Sequence, residues 1–175
     1  SGGMVRADGP SRLPMVRMTN VGLLPGESSL EEMVSTTRRG ILMQTNRSWS
    51  IDDRRLNFQF GCEIGWEIRD GAIGRMLRNP TYTGISPRFW SSLDAVGGPG
   101  EWEVFGLIEC GKGQPLQVGR TGNHAVPCRF RDVRVGVLRG QKSAELEVVA
   151  VVGHRGPAAE PVANALMPAE PRPPG

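Results

Sequence analysis

From Ile41 onward the chain reads in short alternating segments rather than in helical periods. Leu56, Phe58, Phe60 and Cys62 fall on one side of an extended run, with Asn57, Gln59 and Gly61 on the other, the two-residue period of a half-buried strand. Glu63 to Arg69 and Ala72 to Leu77 flank Asp70-Gly71, a pair that tolerates the positive backbone angles of a tight primed hairpin turn, so a three-strand meander is expected. Val104 to Glu109 reads as a further strand leading into a loop at Cys110, and Arg129 to Leu138 and Glu145 to Val152 are valine-rich strands.

Two segments carry the helical period instead. Ser29 with Glu32 forms a capping box, Leu30, Met33, Val34 and Thr37 share a face, and Arg38-Arg39-Gly40 supplies a cationic last turn and a terminating glycine, which predicts a helix over about 30–39. Ser86-Pro87 reads as an N-cap and first helical residue, with Phe89, Trp90, Leu93 and Val96 buried and Gly97-Gly98 ending the helix. The expectation is an α+β, strand-dominated fold, a mostly antiparallel sheet or barrel-like domain with two short helices.

The ends differ in texture. Residues 1–27 contain Pro10, Pro14 and Pro25 with little periodicity and should run extended or irregular across a surface, residues 28–153 form the domain, and residues 154–175 are a flexible tail too rich in proline to build a core. The length of 175 residues suits one ordinary domain. No apolar stretch approaches the roughly 20 residues of a membrane span, no secretory signal is visible, and three unclustered cysteines favour a reducing compartment, so a cytoplasmic protein is expected. A net charge of +3 raises nucleic acid as a partner, but the arginines are scattered; solvated strand and helix-end arginines, including Arg129, Arg131 and Arg134, are the expected reading, and nucleic-acid binding is not expected.

The candidate chemistry centres on Cys110, a lone thiol at the end of an apolar run and pinched between glycine-rich stretches. A thiol where the backbone can turn sharply is better suited to holding a metal or attacking a substrate than to filling a core. The only histidines are His124 and His154, and neither is followed by the glutamate of a zinc-helix motif, so the sequence reads as one part of an active site. Around the cysteine, Gly111 and Gly113 should serve conformation, Lys112 is a solvated loop lysine or a substrate contact, and Gln114 would bond the loop or a peptide backbone. Cys62 and Cys128 are expected in the core, His124 as a surface imidazole, and the four tryptophans in packing or at a partner surface.

Several of these segments occur in an order that resembles a known family. Pro14-Met15-Val16-Arg17-Met18-Thr19-Asn20, Leu23-Leu24-Pro25-Gly26, the helix from Ser29 to Gly40, Gly65-Trp66-Glu67-Ile68-Arg69-Asp70-Gly71, Cys110-Gly111-Lys112-Gly113-Gln114-Pro115 and Phe130-Arg131-Asp132-Val133-Arg134-Val135-Gly136 are similar to the C-terminal domain of the TldD/PmbA metallopeptidases, also named modulators of DNA gyrase. The resemblance spans about residues 14–137. It implies a zinc enzyme in which a His-Glu-x-x-x-His helix in the preceding half of the polypeptide gives two ligands and the general base, and the loop cysteine, here Cys110, gives the third. It further implies an N-terminal TldD-like half as partner, a TldE-like subunit in a hetero-oligomer, and an extended peptide substrate. No catalytic residue of that set lies in this chain, which alone should be inactive; the alternative reading is a non-catalytic scaffold subunit of a TldD/TldE-like complex.

Overall fold

The alternating runs fold as strands around two separate cores. The structure is a computed structural model that describes residues 4–137 and 144–151. In chain order the elements are β1 (Val5–Arg6), β2 (Met15–Val16), α1 (Leu30–Ser35), β3 (Arg39–Ile51), β4 (Asn57–Arg69), β5 (Ala72–Arg78), β6 (Pro80–Ile85), α2 (Ser86–Ser91), β7 (Leu93–Val96), a single 3-10 turn at Pro99–Glu101, β8 (Glu103–Lys112), β9 (Gln117–Ala125), β10 (Cys128–Val137) and β11 (Ala144–Val151). This is the strand-dominated fold with two short helices that the pattern predicts. The predicted tail at 154–175 and His154 lie outside the described residues.

Five strands close on themselves in the order β11, β3, β4, β6, β10, with β10 pairing back onto β11. Every junction is antiparallel except β11 on β3, where Val148 lies beside Ile41. Closure removes the open edges that a five-stranded sheet would present to water. β7 continues the sheet from β10, and β5 pairs with β4 outside the ring. Ile41, Met43, Cys62, Val126, Cys128, Phe130, Val133, Val135 and Val148 make one core cluster. On the other side of β3, Leu42 joins Trp66, Ile68 and Ile73 beneath Leu30, Met33 and Val34 of α1. β3 is therefore apolar on both faces, which explains the unbroken run Ile41-Leu42-Met43.

Several local signals appear as read. Ser29 Oγ accepts from the Glu32 amide at 3.0 Å, and Asp70 and Gly71 take φ values of 47° and 80° in the two-residue turn between β4 and β5. The expected three-strand meander is corrected to a hairpin, because the two segments on either side of Cys62 are the single strand β4, which turns at Asp70-Gly71 into β5. Cys62 and Cys128 are buried, and burial pushes their thiols up to about 11 and about 12.

Three further expectations are corrected. The first helix stops at Ser35 rather than near 39: Thr36 and Thr37 hydroxyls bond back to the Glu32 and Met33 carbonyls at 2.7 Å each, and Arg39 and Gly40 already belong to β3. Gly40 is needed for close strand approach, since a Cβ there would lie 2.7 Å from the Glu147 carbonyl oxygen. The second helix ends at Ser91, and Leu93–Val96 is β7, drawn into strand by pairing with Cys128 to Phe130 of β10; Trp90 consequently stays exposed. Arg129 is not solvated. It is buried, ion-paired with Asp94 at 3.0 Å, and donates to the Met33 carbonyl at 3.1 Å and the Thr36 hydroxyl at 2.7 Å. One side chain thus ties β10 to β7 and to the end of α1, and supplies the cation that the last turn of the helix lacks.

Burial alone would raise the Asp94 carboxyl, but hydrogen bonds and charge attraction from Arg129 and Arg131 together outweigh it and hold the group below its ordinary value. A carboxylate lowered in the folded state stabilises fully above its ordinary value of 3.8 and loses that contribution as the pH falls below it. Asp94→Asn is expected to cost about 3 kcal/mol, because it strands the Arg129 charge, and to flatten the decline in stability below pH 3.8; urea titrations across the acid range check both. Gly71→Ala is expected to cost about 1–3 kcal/mol, since the added Cβ would fall 2.4 Å from the Ser35 carbonyl oxygen at a positive φ; thermal unfolding reads it.

Candidate metal centre

Cys110 stands near the end of β8, within the strand rather than in the loop after it. β8 and β9 form a two-stranded ribbon separate from the barrel sheet. Directly opposed residues of such a ribbon share a face, so Cys110 shares one with Gly119, and Lys112 with Gln117. The register slips between Leu107 and Cys110: β8 spends one residue more than β9, a bulge that sets Ile108 and Glu109 opposite Arg120. Without that extra residue Cys110 would fall on the opposite face, so the bulge decides which way the thiol points.

The face carrying Cys110 is polar on β9, where Gln117, Thr121 and Asn123 are buried. What buries them is the extended N-terminal segment. Asp8 accepts from the Val118 amide at 3.0 Å, Gln117 Nε2 donates to the Leu13 carbonyl at 2.8 Å, Asn20 Oδ1 accepts from the Gly122 amide at 2.8 Å, and Asn123 Oδ1 accepts from the Val21 amide at 3.2 Å. Within this segment β1 and β2 pair as a short antiparallel hairpin, and Asp8, Leu13, Asn20 and Val21 strap it to β9. At the centre lies Arg17, 7% exposed. Its Nη1 donates to the Gln117 carbonyl at 3.0 Å, and its Nη2 donates to the Cys110 carbonyl.

The residues predicted to support Cys110 divide into three groups. Lys112 donates from Nζ to the Val16 carbonyl at 2.8 Å, so it also pins the N-terminal segment. Gly113 has φ of 88°, a conformation that favours glycine, and a Cβ there would meet the Met15 side chain at 2.8 Å. Gly111 lies beneath Leu116 at 3.0 Å from where its Cβ would be. Gln114 is exposed in the turn and makes no hydrogen bond among the described residues. Beside the ribbon opens a cavity of about 900 Å³, lined by Arg6, Arg17, Ile108, Glu109, Leu116 and Arg120 among others.

His124 does not meet Cys110. It pairs across the ribbon with Val104, five positions along β9 from Gly119, or about 16 Å at strand rise. Its imidazole stands edge-on to Trp102, with ring centres 4.7 Å apart, against Gly22, so it is half-buried rather than a free surface group. Among the described residues no group of three or more His, Cys, Asp or Glu side chains is placed to hold a metal. A half-exposed thiol is a good zinc donor, and Cys110 is the cysteine that is not buried; among the described residues the donor set would suit one ligand of a zinc site and not a whole site.

Arg17, Asn20, Gln117 and Asn123 went unassigned by sequence reasoning. The available signal was β9 itself, Gln117-Val118-Gly119-Arg120-Thr121-Gly122-Asn123, which alternates without any apolar face and so demands polar partners for whichever side is covered.

Comparison with known proteins gives a consistent answer. Residues 1–136 match the PmbA/TldA metallopeptidase C-terminal domain. A metalloprotease of Methanothermobacter thermautotrophicus is 32% identical over 124 residues, covering 70% of this chain and 26% of that protein. A metalloprotease TldD homolog of Buchnera aphidicola is 31% identical over 120 residues, covering 68% and 25%. A zinc metalloprotease TldD homolog of Saccharolobus solfataricus is 28% identical over 141 residues, covering 77% and 29%. The chain spans about a quarter of the length of the curated relatives it matches. The match over residues 1–136 makes this chain a member of the PmbA/TldA metallopeptidases, carrying their C-terminal domain.

Proposed function

We propose that this chain is the C-terminal part of a zinc-dependent peptidase that cleaves extended peptides, and that Cys110 gives the zinc one of its three protein ligands. The other two ligands and the general base come from a His-Glu-x-x-x-His helix on another segment or chain, and a TldE-like subunit completes the assembly, which works in the cytoplasm. The observation that carries the reading is the placement of Cys110: a half-exposed thiol on a rigidly braced strand, in a chain whose relatives are named metalloproteases.

Bound zinc would polarise a water and lower its pKa toward neutrality. The chain's own residues hold the sulfur and present a strand. β8 pairs with β9 alone among the described strands, so the other edge of Glu103–Lys112 offers backbone amides and carbonyls to an extended peptide. Main-chain pairing of that kind reads few side chains and suits varied substrates. No helix of the described residues is long and apolar enough to cross a membrane, which is compatible with an aqueous site.

The chain alone should bind zinc weakly and show no peptidase activity, whereas its complex with the histidine-bearing segment should hold about one zinc. Cys110→Ser in that complex is expected to weaken zinc binding by more than about 100-fold, beyond the usual loss from an outer-shell partner, and to remove activity with it; metal analysis after dialysis checks the first. Unchanged zinc content would remove Cys110 from the site. Full cleavage of peptides without the thiol would leave the chain the role of a non-catalytic scaffold.

A further inference from the structure

We infer that Arg17 is a positioning residue whose guanidinium, held between the Cys110 carbonyl on β8 and the Gln117 carbonyl on β9, sets the place and direction of the Cys110 thiol. This inference rests on the reading of Cys110 as a ligand and extends it to a residue that touches no metal.

Three features carry it. First, the guanidinium bridges the two strands at the Cys110 end of the ribbon: Nη1 donates to the Gln117 carbonyl at 3.0 Å and Nη2 donates to the Cys110 carbonyl itself. Backbone carbonyls held by a fixed planar fork have little freedom to rotate, and rotating the Cys110 peptide would swing its Cβ and sulfur. Second, the guanidinium lies on the thiol's side of the ribbon. Gly119 is the cross-strand partner of Cys110, and a Cβ on Gly119 would fall 2.9 Å from Arg17 Nη2 and 3.3 Å from its Cζ, so Gly119 leaves the space that the arginine fills. Third, Arg17 is anchored from behind. Its own amide donates to the Met4 carbonyl at 2.6 Å, and the neighbouring Val16 carbonyl accepts from Lys112 at 2.8 Å. The ribbon needs such a clamp, because two strands on their own are marginal in water, and the bulge between Leu107 and Cys110 has already weakened the ladder just ahead of the cysteine.

The test uses the assembled peptidase with three substitutions in this chain, Arg17→Met, Arg17→Lys and Gly119→Ala. Gly119→Ala adds a methyl that pushes the guanidinium aside while keeping its charge and the rest of the fold, so it covers the case in which Arg17→Met fails to fold. Zinc retention is measured by competition with a chromophoric chelator, and the sulfur-to-metal charge-transfer band is recorded after cobalt replaces zinc. Arg17→Met and Gly119→Ala should each weaken zinc retention by about 10- to 100-fold, the range for residues that orient a ligand, and shift or weaken the cobalt band. Arg17→Lys should restore part of both, because an ammonium keeps the charge and the donors but lacks the fixed planar fork and the reach of the guanidinium. Retention within about twofold of the parent in both Arg17→Met and Gly119→Ala, with an unchanged band, would overturn the positioning role provided that Cys110→Ser loses the metal. If Cys110→Ser also keeps the metal, the ligand reading and the positioning role fall together.

Discussion

A two-stranded ribbon cannot hold its shape in water without something to pack against, and the geometry of Cys110 depends on how this chain meets that constraint. β8 and β9 do not join the barrel sheet. They are covered on one side by the N-terminal segment, which holds them through carbonyl, amide and carboxylate contacts. Polar bracing is directional where apolar packing is not. The proposed role of Cys110 would benefit from it, because hydrogen bonds fix rotation as well as distance.

The barrel supplies the rigid base for this arrangement. The parallel pairing of β11 with β3 closes the five-strand ring, and Arg129 fastens β10 to β7 and α1. The connection to the ribbon is short: Ala125 ends β9 and Cys128 begins β10, with Val126 fully buried between them. Glu101, on the turn before β8, accepts from the Leu30 amide at the start of α1 at 2.7 Å. Both strands of the ribbon are therefore tied to well-packed parts of the fold at one end, where Glu103 pairs with Ala125, and the Cys110 end is the hairpin tip. The uncovered side of the ribbon keeps Val104, Ile108, Leu116 and Val118 exposed, in a chain that represents about a quarter of its relatives' length.

What was legible in the sequence was whatever is decided within a few residues. The Asp70-Gly71 turn, the Ser29 cap and the alternating strands are local, and they stand as read. What was not legible depends on partners far along the chain. Leu93–Val96 has a helical-looking apolar pattern, yet becomes strand because β10 lies beside it more than thirty residues later. Arg129 looks like a solvated strand residue until Asp94 and the Met33 carbonyl of α1 are brought to it. The candidate thiol, Cys110, was singled out by its glycine-rich surroundings, whereas its contact with Arg17 spans 93 positions of sequence and left only the weak trace of a strand with no apolar face. The bulge that turns Cys110 toward Arg17 is a matter of register, which a single sequence does not reveal.

The most direct test of the central claim is X-ray absorption at the zinc edge of the assembled enzyme, which counts the kinds of atom bound to the metal without relying on activity. The account predicts one sulfur scatterer at about 2.3 Å together with nitrogen donors near 2.0 Å. A first shell built from nitrogen and oxygen alone, with no sulfur, would contradict it.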